Sequence, residues 1–155
     1  MKRDVLLPLI LLLLALMAGA VSAQPKGFEI RADMTFTSRH YVDGNFNEFN
    51  PGGFVSVYKR TSYGALGVGV GAYYNSFATT ATAAAGRLRL RASKWVVFGL
   101  DVGVVTGYSR LVDGPEGPAG MKPLMVPSIR IGPPEMRLAI MNIGRAVGVG
   151  VTFTP

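Results

Sequence analysis

The chain has no cysteine and one histidine in its 155 residues. Without cysteine, neither a disulfide framework nor a thiolate metal site can form. One histidine leaves too few nitrogen ligands for a transition-metal centre, so we predict no metal site and no cofactor. A further absence follows residue 23, where no second long apolar run occurs. Because a spanning helix needs about 20 apolar residues, we predict no membrane helix in the remainder.

The first residues have the three parts of a secretory signal. A charged start (residues 1–4) precedes an apolar run (residues 5–16), and small residues follow as far as the VSA sequence at 21–23. This order is typical of a cleaved signal peptide, and the apolar run is short for a membrane anchor. We therefore expect a signal peptide over residues 1–23 and one exported domain over residues 24–155.

The exported domain is basic. The whole sequence carries a net charge of +7, and removal of Lys2, Arg3 and Asp4 with the signal peptide leaves +6. A basic surface attracts either nucleic acid or phosphorylated lipid. Export favours lipid, so we expect membrane partners and no nucleic acid.

Apolar side chains recur at every second position after the signal peptide. In a β-strand this period places two sets of side chains on opposite faces. The alternation is clearest in four segments, residues 28–37, 66–75, 96–105 and 146–153. The second face carries glycine, small residues and charges, and we expect its charged members to pair as an inward cluster. These are Glu29, Arg31, Asp33 and Asp101.

Two architectures fit this alternation, a soluble β-sandwich and a membrane barrel. The second face is rich in small residues, whereas a solvated face usually carries long charged ones. Segments 64–76 and 95–108 are also long, since soluble strands average about 5–6 residues and tilted membrane strands need about 9–11. A narrow barrel also needs small inward residues. We predict an all-β fold, an antiparallel transmembrane barrel in the bacterial outer membrane.

The pattern gives eight strands, at about residues 28–40, 52–61, 63–76, 79–91, 95–108, 123–132, 135–142 and 146–154. An even number places both termini in the periplasm, with short periplasmic turns and longer outer loops. The long loops would be residues 41–51 and 109–122. We expect a monomer.

Strand parity places His40, at the end of the first strand, on the outer rim with Ser76, at the end of the third. An imidazole that takes a serine hydroxyl proton is the minimum for acyl transfer. The alternative is structural, because rim histidines are common and Asn75-Ser76 is an ordinary turn pair.

Several stretches resemble the lipid A palmitoyltransferase family of outer-membrane barrels. The first loop reads FNEFNPGG at residues 46–53, and the third strand ends in YNSF at 74–77. The fifth strand (residues 98–107) and the proline-interrupted sixth (residues 123–132) are also similar. The resemblance implies acyl transfer from phospholipid to lipid A, with His40 and Ser76 as the reacting pair.

In that family an aspartate precedes the serine, and here Asn75 stands in its place. A carboxylate can stabilise an imidazolium by charge, whereas an amide can only orient it. The same resemblance implies that Pro123 and Pro127 mark a gap in strand pairing through which a lipid tail enters. It also gives the inward glycines a role, since they would leave space for an acyl chain. The glycines in question are Gly67, Gly69, Gly71 and Gly103.

Small inward residues equally prevent over-packing of a narrow barrel. A basic band is predicted at the periplasmic interface, where it either contacts anionic headgroups or anchors the barrel by snorkelling; its members are Arg87, Arg89, Arg91, Lys94, Lys59 and Arg60. Arg39, Arg110 and Lys122 are predicted to lie on the outer side. The rival function is a non-catalytic barrel with a structural, adhesive or surface-masking role. The acyl donor, chain length and acceptor are not encoded in any motif.

Overall fold

The alternating segments form eight antiparallel strands in the computed structural model, which describes residues 27–108 and 120–154. Each strand pairs with the next, and the last pairs with the first, which closes a barrel. The predicted signal peptide (residues 1–23), Arg110 and most of the third loop lie outside the described residues. The strands are β1 (Phe28–His40), β2 (Phe49–Thr61), β3 (Gly64–Tyr74), β4 (Thr80–Arg91), β5 (Val96–Val105), β6 (Lys122–Ile131), β7 (Met136–Ile143) and β8 (Ala146–Phe153).

These bounds follow the alternation closely; β5 ends three residues before its predicted end at residue 108, and β2 begins three residues before its predicted start at residue 52. The reason for the early start of β2 is a bulge. Thr35 pairs with Gly52 and Thr37 pairs with Phe49, so between these pairs β2 has two residues where β1 has one. Pro51 is one of the two. A bulge tolerates proline because the ladder is already interrupted there.

The outside of the barrel is a continuous apolar surface. Val68 and Val70 on β3 and Met125 on β6 are each about two-thirds exposed, at 67%, 64% and 67%. Their strand neighbours Gly69 and Val126 point inward and are buried. Such a surface is unfavourable in water and suited to lipid. No helix among the described residues is long and apolar enough to cross a membrane.

The two ends of the barrel differ. The terminal end, where β1 begins and β8 ends, carries the short turns at residues 62–63, 92–95 and 132–135. The loop end carries the connections at residues 41–48, 75–79, 106–121 and 144–145. The first and third of these are the long ones, in agreement with the sequence.

Candidate functional site

His40 and Ser76 lie at the same end of the barrel. His40 is the last residue of β1, and Ser76 follows β3, so both belong to the loop end. Between these elements the Phe46 ring stacks on the imidazole of His40, with 4.0 Å between ring centroids and an angle of 11°. The edge of Phe77 meets Phe46 at 5.9 Å and Tyr108 at 5.8 Å. We refer to these four rings as the rim aromatic cluster.

The reacting pair predicted from the sequence shares the loop end of the barrel but is not joined by a hydrogen bond among the described residues. Nδ1 of His40 is buried and has no hydrogen-bond partner among the described residues. The Ser76 carbonyl accepts a 2.8 Å hydrogen bond from the Asn47 amide. No hydrogen bond between Ser76 Oγ and His40 occurs in residues 27–108 and 120–154. The Phe46 ring covers a face of the imidazole, whereas the hydrogen-bond directions of the two ring nitrogens lie in the ring plane.

Asn75 is fully buried and is bonded within its own loop. Its Oδ1 accepts hydrogen bonds from the amides of Phe77 (3.0 Å) and Thr79 (3.1 Å) and from the Thr79 hydroxyl (3.0 Å). Its Nδ2 donates to the carbonyl of Gly107, beyond the end of β5, at 2.9 Å. These bonds form an Asx-type turn that fixes the loop after β3. Asn75 therefore holds the backbone that carries Ser76 and does not contact His40.

The terminal half of the lumen is filled by ion pairs. Arg87 donates to Asp33 at 2.6 Å and to Asp101 at 2.7 Å, and Arg89 donates to Asp101 as well. Arg130 lies 3.6 Å from Asp33. The predicted inward positions of Asp33 and Asp101 are thus confirmed, and two of their partners, Arg87 and Arg89, had been predicted to lie at the interface.

The expectation that Arg87 and Arg89 belong to an interfacial basic band was wrong. Both side chains are almost completely buried, at 3% and 2% exposure, because Leu88 and Leu90 of the same strand face outward. Strand alternation then turns the arginines into the lumen. Arg91, one step closer to the terminal end, is exposed.

The inward glycines lie beneath neighbouring side chains. A Cβ at Gly67 would meet the Tyr58 ring, one at Gly69 would meet Ser56 and Arg87, and one at Gly71 would meet the Phe54 ring. At Gly103 it would meet the backbone of β4. The space at all four positions is occupied, which corresponds to the close-packing interpretation of these residues.

The β4–β7 side of the lumen carries two buried apolar groups. One buried group joins β4 and β5, and a second joins β6 and β7, with Leu124 packed against both. The first consists of Ala81, Ala83 and Val105, and the second of Val126, Ala139 and Met141. We refer to the second group as the β6–β7 apolar cluster.

The barrel wall beside this cluster has a gap in its hydrogen-bonded ladder. β6 pairs with β5 along its whole length, but it pairs with β7 only over Ser128–Ile131. The ladder stops at the residue that follows Pro127. The amide of Gly132 donates to Trp95 on the β5 side, and because this direction alternates along a strand, the nitrogens of Pro127 and Pro123 face β7.

No family model and no curated protein sequence matches the chain. Among solved structures, it is similar to a de novo designed transmembrane β-barrel, with a TM-score of 0.55 and 14% identity, over 85% of this chain and 98% of the designed one. It is also similar to the Yersinia pestis outer membrane protein Ail in a phospholipid bilayer nanodisc, with a TM-score of 0.47 and 9% identity, over 82% and 99% of the two chains. The first likeness shows the fold, an eight-stranded transmembrane β-barrel.

Proposed function

We propose that this protein is a bacterial outer-membrane barrel that admits an acyl chain of a membrane lipid through the gap between β6 and β7 and transfers it at the loop end. The terminal end would face the periplasm. The observation that carries the proposal is the end of the β6–β7 ladder at Ser128, directly beside the β6–β7 apolar cluster.

The prolines make this gap tolerable in a membrane. An unpaired backbone group in hydrocarbon costs several kcal/mol, which is why barrels normally keep closed ladders. Pro123 and Pro127 have no N–H to leave unpaired, and both would have pointed it at β7. The sequence thus removes two of the donors that would face β7 beyond the ladder and leaves that of Met125, and the exposed prolines lie on the lipid-facing side of β6.

The chemistry would take place at the rim. The Ser76 hydroxyl would attack the ester carbonyl of a phospholipid while His40 takes its proton, and the lysophospholipid alcohol would leave with that proton. A hydroxyl of the acceptor, lipid A by the family resemblance, would then release the acyl chain from Ser76. Asn75 acts as a positioning residue, and the first step requires the Ser76 hydroxyl to come within hydrogen-bond reach of an imidazole nitrogen of His40.

The direct test is mass spectrometry of lipid A and phospholipids from cells with and without the expressed protein. A gain of one acyl chain on the acceptor that disappears in Ser76→Ala and in His40→Ala supports acyl transfer. Ser62→Ala, the same substitution in an exposed turn at the terminal end, is the matched control and retains the activity. An acyl gain that persists in both rim variants would contradict the assignment.

The second candidate is a non-catalytic barrel with a structural, adhesive or surface-masking role. It is favoured by two contacts at the rim, the stacking of Phe46 on His40 and the bonding of Asn75 within its own loop. If the protein is a non-catalytic barrel, its expression leaves the lipid profile unchanged although the barrel is folded in the membrane. Labelling of intact cells with a membrane-impermeant thiol reagent after Asn45→Cys, in an exposed loop of this cysteine-free chain, then establishes that the protein reaches the surface.

A further inference from the structure

The exposed charges of the described residues are distributed unequally between the two ends of the barrel. At the loop end, the cations Arg39 and Arg145 balance the anions Asp43 and Glu48. At the terminal end four exposed cations face one exposed carboxylate, Glu135. We refer to these cations, Lys59, Arg60, Arg91 and Lys94, as the basic rim patch.

The patch is one continuous surface, because the turns that carry it are bonded to each other. The amide of Arg91 donates to the carbonyl of Tyr63 at 2.9 Å, which joins the β2–β3 and β4–β5 turns. Arg60 pairs with Glu29, but Glu29 also accepts from Arg31, so one carboxylate serves two guanidinium groups. The positive charge of the patch is therefore not neutralised locally.

Aromatic and apolar side chains place the patch at a membrane boundary. Tyr63 and Trp95 lie in the same turns and are 80% and 50% exposed. The ammonium of Lys94 lies 5.7 Å from the Trp95 ring. Leu66 and Phe98, on the outside of β3 and β5, continue the surface toward the hydrocarbon region. Tyrosine and tryptophan at such a level mark the headgroup region of a bilayer.

We propose that the basic rim patch binds the headgroups of anionic phospholipids, such as phosphatidylglycerol, in the periplasmic leaflet. The inference rests on the outer-membrane location proposed above but not on acyl transfer. Clustered cations next to a membrane span attract anionic lipid, and the attraction weakens with salt. The balanced loop end offers no comparable surface among the described residues.

The test is native mass spectrometry of the purified full-length barrel in micelles that contain equal amounts of phosphatidylglycerol and phosphatidylcholine. We expect the wild type to retain phosphatidylglycerol preferentially. Lys59→Gln combined with Lys94→Gln lowers the ratio of the two retained lipids by about thirtyfold, about fivefold for each lysine, and higher salt lowers it in the wild type. The control is Arg39→Gln with Arg145→Gln at the loop end, which leaves the ratio unchanged.

A ratio near one in the wild type, or an equal fall in the loop-end control, would overturn the proposal. The two lysine substitutions leave the ion pair between Arg60 and Glu29 intact. Circular dichroism checks that both double variants fold. Both double variants retain His40, Ser76 and the β6–β7 gap. Their acyl transfer to lipid A is therefore measured independently of phosphatidylglycerol binding. Failure of acyl transfer would leave the phosphatidylglycerol ratio untouched.

Discussion

Arg87 on β4 donates a 2.6 Å hydrogen bond to Asp33 on β1, across the lumen of the barrel. These strands are not neighbours in the sheet, so the contact joins opposite walls. The same guanidinium also donates to Asp101 on β5. One arginine thus holds two buried carboxylates.

Replacement of Arg87 by methionine should destabilise the barrel strongly. It leaves Asp33 and Asp101 with fewer partners in a buried site, and breaking a buried ion pair costs about 3–5 kcal/mol. Urea unfolding in lipid vesicles, followed by tryptophan fluorescence, measures the loss. Arg91→Met on the same strand is the control, since Arg91 is exposed and forms no ion pair within the described residues. Equal destabilisation by both substitutions would show that the network contributes little.

Asn75→Asp separates the two interpretations of this position. The structure predicts destabilisation of about 1–3 kcal/mol, because one carboxylate oxygen would face the carbonyl of Gly107, to which Nδ2 now donates. Hydrogen exchange at the amides of Phe77 and Thr79 should become faster. Asn75→Ala provides the comparison, because it removes all four side-chain hydrogen bonds without adding charge, whereas aspartate loses only the bond to Gly107. A rise in lipid acylation with unchanged exchange would instead favour a catalytic carboxylate here.

The inward glycines can be tested by the addition of a single methyl group. Gly69→Ala should cost about 1–3 kcal/mol, because its Cβ would meet Ser56 and Arg87. Gly86→Ala is the matched control on the next strand, where the nearest atom to the new Cβ is the Val102 carbonyl at 3.7 Å. Unfolding midpoints of the two variants should differ clearly. Similar midpoints would mean that the lumen has room to spare.

Pro127→Val should close part of the gap in the barrel wall. Valine restores an N–H directed at β7, so the ladder could extend one pair toward the loop end. We expect slow hydrogen exchange at the new amide and stability equal to or above that of the wild type. If lipid enters here, acylation falls. Met125→Val on the same outward face tests for effects of side-chain shape alone. A rapidly exchanging amide at residue 127 would mean that the gap persists without the proline.

Alternation predicted the faces of the strands well, because it is a local property of the chain. The outward Val68 and Val70 and the inward Asp33 and Asp101 follow from parity alone. The same parity applies to Arg87, but its charge suggested an interfacial position. The register supplies the missing information, since Arg87 pairs directly with Asp101.

The rim was less predictable than the strands. Parity places His40 and Ser76 at one end, but no period governs residues 41–48, so the stacking of Phe46 on His40 has no signal in the sequence. The function of Asn75 had a clearer signal. An asparagine followed by serine is typical of a turn, and that is the geometry the loop adopts.

The lumen network has a consequence for how the chain enters a membrane. The partners of Asp33 are distant in sequence, since Arg87 is 54 residues away and Thr152 is 119 residues away. Arg87 and Asp101 can pair across the β4–β5 ladder, but Asp33 gains its bond from Thr152 only when β8 meets β1, and transfer of an incompletely bonded carboxylate into hydrocarbon is very costly. The sheet therefore cannot cross the bilayer strand by strand. Insertion and closure must occur together, as a single cooperative and comparatively slow assembly step.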